Sequence, residues 1–163
     1  MTLPATPSQT VGPYYSIALA RRVENALVPP SAPGSVRLRG RLLDGAGDPI
    51  DGMVELWDHR SRRWARCGTD DDGWFEFTVA KPPGGDGDGE APRLDVYVFA
   101  RGLLKHQLTR MYFPNEAAAN GADPVLAQFG DEERAVLVAR EEDGGLRFDI
   151  RMQGDDAAVF FAV

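Results

Sequence analysis

The chain has 163 residues and is short of several things that would point to a function quickly. Its single cysteine, Cys67, excludes an intrachain disulfide and a cysteine-rich zinc site. It has two histidines, His59 and His106, and they are not spaced as His-x-His, the pattern that would set two imidazoles on one face of a strand. Position therefore argues against a histidine metal site even though two histidines and four tyrosines would supply the ligands, and each histidine is expected at a strand end or in a loop. Basic residues are outnumbered, giving a net charge of −7, and no run of Lys or Arg is long enough to form a basic stripe. Nucleic acid and anionic membrane surfaces are thus poor partners, and an anionic ligand would have to be drawn in by a few placed arginines. No apolar run approaches the roughly 18 residues of a membrane helix. The start, MTLPATPSQTVGPYY, has neither a basic nor an apolar signal region, so a cytoplasmic location is expected. Helical periodicity is almost absent, and so is the G-x-S-x-G of a nucleophilic serine.

What is present is strand-like. At 43% apolar residues the chain can bury a real core. Residues 1 to 35 hold prolines at positions 4, 7, 13, 29, 30 and 33 and read as an extended, partner-contacting arm over most of their length, with a short helical turn expected within YYSIALARRVENAL. From Val36 to the end the texture is that of a sandwich domain. Strands are expected in SVRLRGRLL, in DGMVELWDH and in WFEFTVA. Two more are expected in PRLDVYVFAR and HQLTRMYF, and GGDGDGE is expected to be a flexible loop. Short helices suit only 114–134, between Pro114 and Pro124 and beyond. AVLVAREEDGGLRFDIRMQG reads as a hairpin turning at Asp143-Gly144-Gly145, and the terminal AVFFAV as a hydrophobic strand docked on something. Short strands joined by Gly/Asp/Pro turns predict an all-β antiparallel sandwich with an extended N-terminal arm and short helical segments. The acidic stretches DGAGDPIDG and DDDG fit strand-connecting turns better than calcium loops, because neither has the closing glutamate.

The segment 92–101 carries the sharpest question. Leu94, Val96, Val98 and Ala100 alternate against Arg93, Asp95, Tyr97, Phe99 and Arg101. The second face is either solvated, with a cross-charge pair, or turned toward a site or partner. Arg101 ends the strand beside a glycine, where its planar fork could hold an aromatic carboxylate or pair with Asp95 or Glu90 on the surface.

Six segments in order, TPSQTVGPYY, DGAGDPIDGMVELWD, DDDGWFEFTVAKP, APRLDVYVFARG, QLTRMYFPNEAAAN and RFDIRMQGDDAAVFF, are together similar to the alpha subunits of the protocatechuate 3,4-dioxygenases, in the intradiol dioxygenase family. The resemblance implies a hetero-oligomer of related β-sandwich chains that opens 3,4-dihydroxybenzoate with O2 to 3-carboxy-cis,cis-muconate, in aromatic catabolism by the beta-ketoadipate route. It implies a ferric ion held by two tyrosines and two histidines of the beta subunit. In this chain the His-x-His positions of the catalytic chains fall on Arg93 and Asp95, and the two loops that carry the ligand tyrosines hold none, so this chain is expected to bind no iron and to be inactive alone. The resemblance also places Thr10, Gly12, Pro13, Tyr14 and Arg101 beside the substrate, with Arg101 facing its carboxylate. Two other readings remain open from the sequence: a transthyretin-like binding module without a dioxygenase role, and an independent dioxygenase.

Overall fold

The fold is built from two facing sheets, and it is known from a computed structural model that describes residues 4–20, 24–84 and 89–162. One sheet is made of β1 (Ser35–Leu43), β4 (Trp74–Ala80), β7 (Arg140–Glu142), β8 (Gly145–Arg147) and β9 (Ile150–Arg151). Its order is β4-β1-β8-β7, with β9 also pairing β1. The other sheet is made of β2 (Gly52–Asp58), β3 (Arg63–Gly68), β5 (Arg93–Ala100) and β6 (Gln107–Tyr112), in the order β3-β2-β5-β6. This second sheet is antiparallel throughout, whereas β8 and β9 lie parallel to β1.

The alternation read from the sequence is what closes the sandwich. Leu38 and Leu42 of β1 and Phe75, Phe77 and Val79 of β4 meet Val54 and Leu56 of β2 and Leu94, Val96 and Val98 of β5, all at most 2% exposed. Burying one such side chain contributes about 1.5–3 kcal/mol, so this set dominates the stability. Close approach demands glycine at position 40, where a Cβ would lie 1.8 Å from the Phe148 carbonyl oxygen. The acidic stretches are turns, as their composition predicts: Asp44 accepts from the N–H groups of Ala46 and Asp48, and Asp70 from those of Asp72 and Trp74.

Three expectations need correcting. The sequence reading passes from β2 straight to the strand at Trp74, but Arg63–Gly68 forms β3, pairing Trp64 with Trp57 and Cys67 with Val54. It is easily missed because its core-facing residues are the small Ala65 and Cys67. The expected hairpin loses its first part to α3 (Asp131–Leu137), which follows α1 (Tyr15–Ala18) and α2 (Ala117–Ala122). Three acids in the first turn of α3, and Glu133 reaching back 3.0 Å to the Gly130 N–H, favour helix there over the strand suggested by Ala-Val-Leu-Val. The turn itself is as predicted, with positive φ at both Asp143 (50°) and Gly144 (72°). Finally, 158–162 is not a strand. Phe161 forms a single bridge to Leu108, stands edge-on to Phe129 at 5.9 Å and lies 5.0 Å from the Arg110 guanidinium, so the C-terminus docks on its own β6. Of the loop GGDGDGE, residues 85–88 lie outside the described residues.

Candidate functional site

Strand β5 has an arginine at each end, and the two have opposite surroundings. At the N-terminal end Arg93 is not solvated; its side chain is only 7% exposed. Its Nε and a terminal nitrogen lie 2.9 and 2.6 Å from one Glu90 oxygen, and its other terminal nitrogen pairs with Asp95. Arg110, across from Asp95 in register, closes the cluster at 3.5 Å from Glu90 and 3.8 Å from Asp95. Tyr112, fully buried and opposite Arg93, lies 3.5 Å from both Arg110 and Asp123. Burial, with the Asp123 charge adding to it, pushes the Tyr112 hydroxyl up to about 12 although Arg110 pulls the other way. Burial also raises Tyr97 farther along the strand, helped by Asp95. The face that the sequence left open is thus, at this end, a closed ion cluster.

The residues here do not fit a metal ion. A guanidinium, which has donors and no lone pair to offer, fills the space between the two nearest carboxylates. Among the described residues no three His, Cys, Asp or Glu side chains are grouped as metal ligands would be. His59 follows β2, with its Nδ1 buried and unbonded, while His106 precedes β6 with its ring 5.5 Å from both Tyr97 and Phe99. Cys67 is half-buried in β3, outside any disulfide, and its thiol donates to the Gly68 carbonyl at 3.1 Å.

The C-terminal end of β5 is open. The Arg101 side chain is 58% exposed and among the described residues has one loose partner, Asp51, at 3.5 Å, rather than the Asp95 or Glu90 considered from sequence. Pairing of Gly52 with Ala100 brings Asp51 there. The other oxygen of Asp51 accepts a 2.5 Å hydrogen bond from Tyr15, whose ring is 4% exposed. Burial, then the bond to Asp51 and its charge, drive the Tyr15 hydroxyl far above its ordinary range. Thr10 reaches the same corner: its hydroxyl donates to the Ala100 carbonyl at 3.4 Å and accepts from the Gly102 N–H at 3.0 Å. The arm is therefore pinned on both sides of Arg101 at residue 10 and beside it at residue 15. Between the pins, Gly12 takes a φ of +73°, Pro13 begins the turn into α1, and Tyr14 is 78% exposed. The structure thus brings Thr10 to Arg101 and leaves the Tyr14 ring in solvent.

A cavity of about 480 Å³ adjoins this corner, walled by the arm residues Ser8, Gln9 and Val11 and by Phe99, Leu103 and His106. A larger one, about 710 Å³, opens near Val36, Ala80 and Phe113, at the Arg93 end of the sandwich. Val11, Tyr14, Ile17, Leu19 and Leu104 form an unusual concentration of exposed apolar side chains in the arm and the loop facing it. Sequence reasoning singled out Thr10 and Arg101 but not Asp51 and Tyr15, which the structure brings to the same corner. The only signals were an aspartate before a strand and the second of two adjacent tyrosines.

No family model matches the chain. It is 40% identical to the protocatechuate 3,4-dioxygenase alpha chain of Burkholderia cepacia, with 99% of each chain covered. It is 35% identical to the alpha chain of the same enzyme from Pseudomonas putida, over 98% of this chain and 96% of that one. The chain belongs to the alpha-chain family of protocatechuate 3,4-dioxygenases. As an alpha chain it is a dioxygenase subunit of a multi-chain enzyme. The first alignment runs over 195 positions, so the relative has segments that this shorter alpha chain lacks. Solved structures agree on the fold. The dioxygenase domain of a carbohydrate-binding fusion protein from Streptomyces sp. SirexAA-E superposes with a TM-score of 0.60 at 22% identity, covering 93% of this chain and 99% of that one. An intradiol ring-cleavage dioxygenase from Tetranychus urticae gives 0.61 at 14% identity, covering 91% and 93%. No helix among the described residues is long and apolar enough to cross a membrane.

Proposed function

We propose that this alpha chain lines the substrate pocket of a protocatechuate 3,4-dioxygenase whose ferric ion is held by a partner beta chain, and that Arg101 receives the carboxylate of 3,4-dihydroxybenzoate. The observation that carries the reading is the state of Arg101, a guanidinium just past a strand end, 58% exposed, whose contact among the described residues is Asp51 at 3.5 Å. A guanidinium has five N–H donors in a fixed fork, so most of this one is available to a planar anion. In a chain of net charge −7, an arginine held in this way is what an aromatic acid needs. Thr10, Gly12, Pro13 and Tyr14 extend the site toward the partner. Pro13 stiffens the segment, so less disorder is lost when the partner closes over it. The exposed Tyr14 and Ile17 give that partner an apolar surface to cover. Iron and the activation of O2 belong to the beta chain in this reading, since the corresponding strand positions here hold the Arg93–Asp95 ion pair.

The test is Arg101→Ala in the enzyme co-expressed with its beta chain. A charge-assisted contact is worth about 1.5–3 kcal/mol, so KM for protocatechuate rises by roughly ten- to a hundredfold. Iron content stays at the wild-type level. Unchanged steady-state constants would remove Arg101 from the site.

A further inference from the structure

We infer that Asp51 determines specificity for the carboxylated substrate: it is an internal carboxylate that competes for the Arg101 guanidinium, and Tyr15 restrains it. The inference rests on the reading that Arg101 receives the substrate carboxylate, and adds what that carboxylate must displace.

The geometry is unequal on the two sides of Asp51. One oxygen is held at 2.5 Å by the hydroxyl of Tyr15, a ring anchored in the fold at 4% exposure. The other lies 3.5 Å from the nearer Arg101 nitrogen, beyond a good charge-assisted bond of about 2.7–2.9 Å. Asp51 is therefore fixed by Tyr15 and only leans toward Arg101. An incoming carboxylate meets an open fork, yet it must also approach a like charge that already shares the guanidinium. Without the Tyr15 hydroxyl, Asp51 is free to turn both oxygens to Arg101 and close the fork. Without the Asp51 charge, the competition ends. Each substitution then moves affinity in its own direction, and only for a ligand that carries a carboxylate.

The experiment uses the assembled alpha-beta enzyme with protocatechuate and with catechol, which has the same two hydroxyls and no carboxylate, as substrate or competitor. Asp51→Asn keeps the side-chain shape and an acceptor for Tyr15; with both groups half-exposed, it lowers KM for protocatechuate by about two- to fivefold and leaves kcat within about twofold. Tyr15→Phe raises KM by a similar factor. Because Tyr15 acts only by restraining the carboxylate, the double variant Tyr15→Phe/Asp51→Asn matches Asp51→Asn alone. Catechol constants stay at wild-type values in all three. An unchanged or raised protocatechuate KM in Asp51→Asn overturns the inference, as do additive effects in the double variant or equal shifts with catechol, which mark a merely structural role. Should Asp51→Asn fail to assemble, Tyr15→Phe decides by itself through the contrast between the two ligands. Arg101→Ala, measured alongside, separates the two levels: if it leaves protocatechuate KM unchanged, the carboxylate reading and this inference fall together, and if it raises KM while Asp51→Asn does nothing, this inference falls alone.

Discussion

Arg93 opens strand β5 and Arg101 follows its last residue, eight positions on, and the two sit in opposite surroundings. Arg93 is 7% exposed and held by two carboxylates, while Arg101 is 58% exposed with one loose partner. The cause is what covers each end. Glu90, three residues ahead of Arg93, packs its carboxylate against that side chain, and Arg110 of the neighbouring strand closes the other side. At the far end only a pinned arm passes by, and it leaves the guanidinium accessible. An arginine surrounded by its own acids is structural, and one left half-satisfied in a corner is available to bind. The distinction lies in the surroundings and not in the residue, so it can be broken at either end.

The largest effect belongs to the buried end. Arg93→Ala leaves Glu90 and Asp95, both half-buried, with Arg110 as the cation still in the cluster. Removing one partner of a buried pair costs about 3 kcal/mol or more, and here, with half-buried carboxylates and Arg110 remaining, the loss is about 2 kcal/mol, read as a lower midpoint in chemical denaturation of the purified enzyme. The double change Arg93→Met/Asp95→Leu restores much of that loss, because apolar side chains of similar bulk carry no stranded charge. If Arg93→Ala proves as stable as wild type, the contrast drawn between the two ends disappears.

Alkaline pH probes the same end without mutation. The Tyr112 hydroxyl is raised from its ordinary 10 to about 12, first by burial and then by Asp123. The folded state therefore keeps a proton that the unfolded state gives up. Its contribution is complete below pH 10 and is lost as pH rises toward and through 12, an effect on the order of 2 kcal/mol. Tyr112→Phe should flatten the fall in unfolding free energy across that window. A parallel decline in the variant would assign it to other groups.

Much of this was legible in the sequence, for identifiable reasons. Strict alternation located β1, β2, β5 and β6, and turn residues with demanding dihedrals located the 143–144 turn. Alternation fails where the inward residues are small, as at Ala65 and Cys67 in β3, and where an apolar run is compatible with either structure, as at 135–137. In the candidate site, parity put Arg93 on the outer face correctly but could not see the Glu90 loop folding over it. Asp51 and Tyr15 escaped because they meet Arg101 only through the Gly52–Ala100 pairing and a hydrogen bond across 36 positions of chain. Neither has a local pattern to read.

The smallest expected effect is the one that sharpens the comparison. Arg101→Ala removes a cation whose only partner among the described residues is equally exposed, at 3.5 Å, and exposed pairs of this kind contribute about 0–1 kcal/mol. Its unfolding free energy should therefore stay within about 0.5 kcal/mol of wild type, as expected for surface positions, although the same substitution is the one proposed to raise KM. Thr10 and Tyr15 make their contacts with the Ala100 carbonyl, the Gly102 N–H and Asp51, so the corner keeps its shape without the guanidinium. Denaturation midpoints for Arg93→Ala and Arg101→Ala, measured side by side, should differ widely, with the catalytically quieter residue giving the larger loss. If Arg101→Ala destabilises the protein as much as Arg93→Ala, the guanidinium is holding the corner together, and its loose contact with Asp51 understates its structural part.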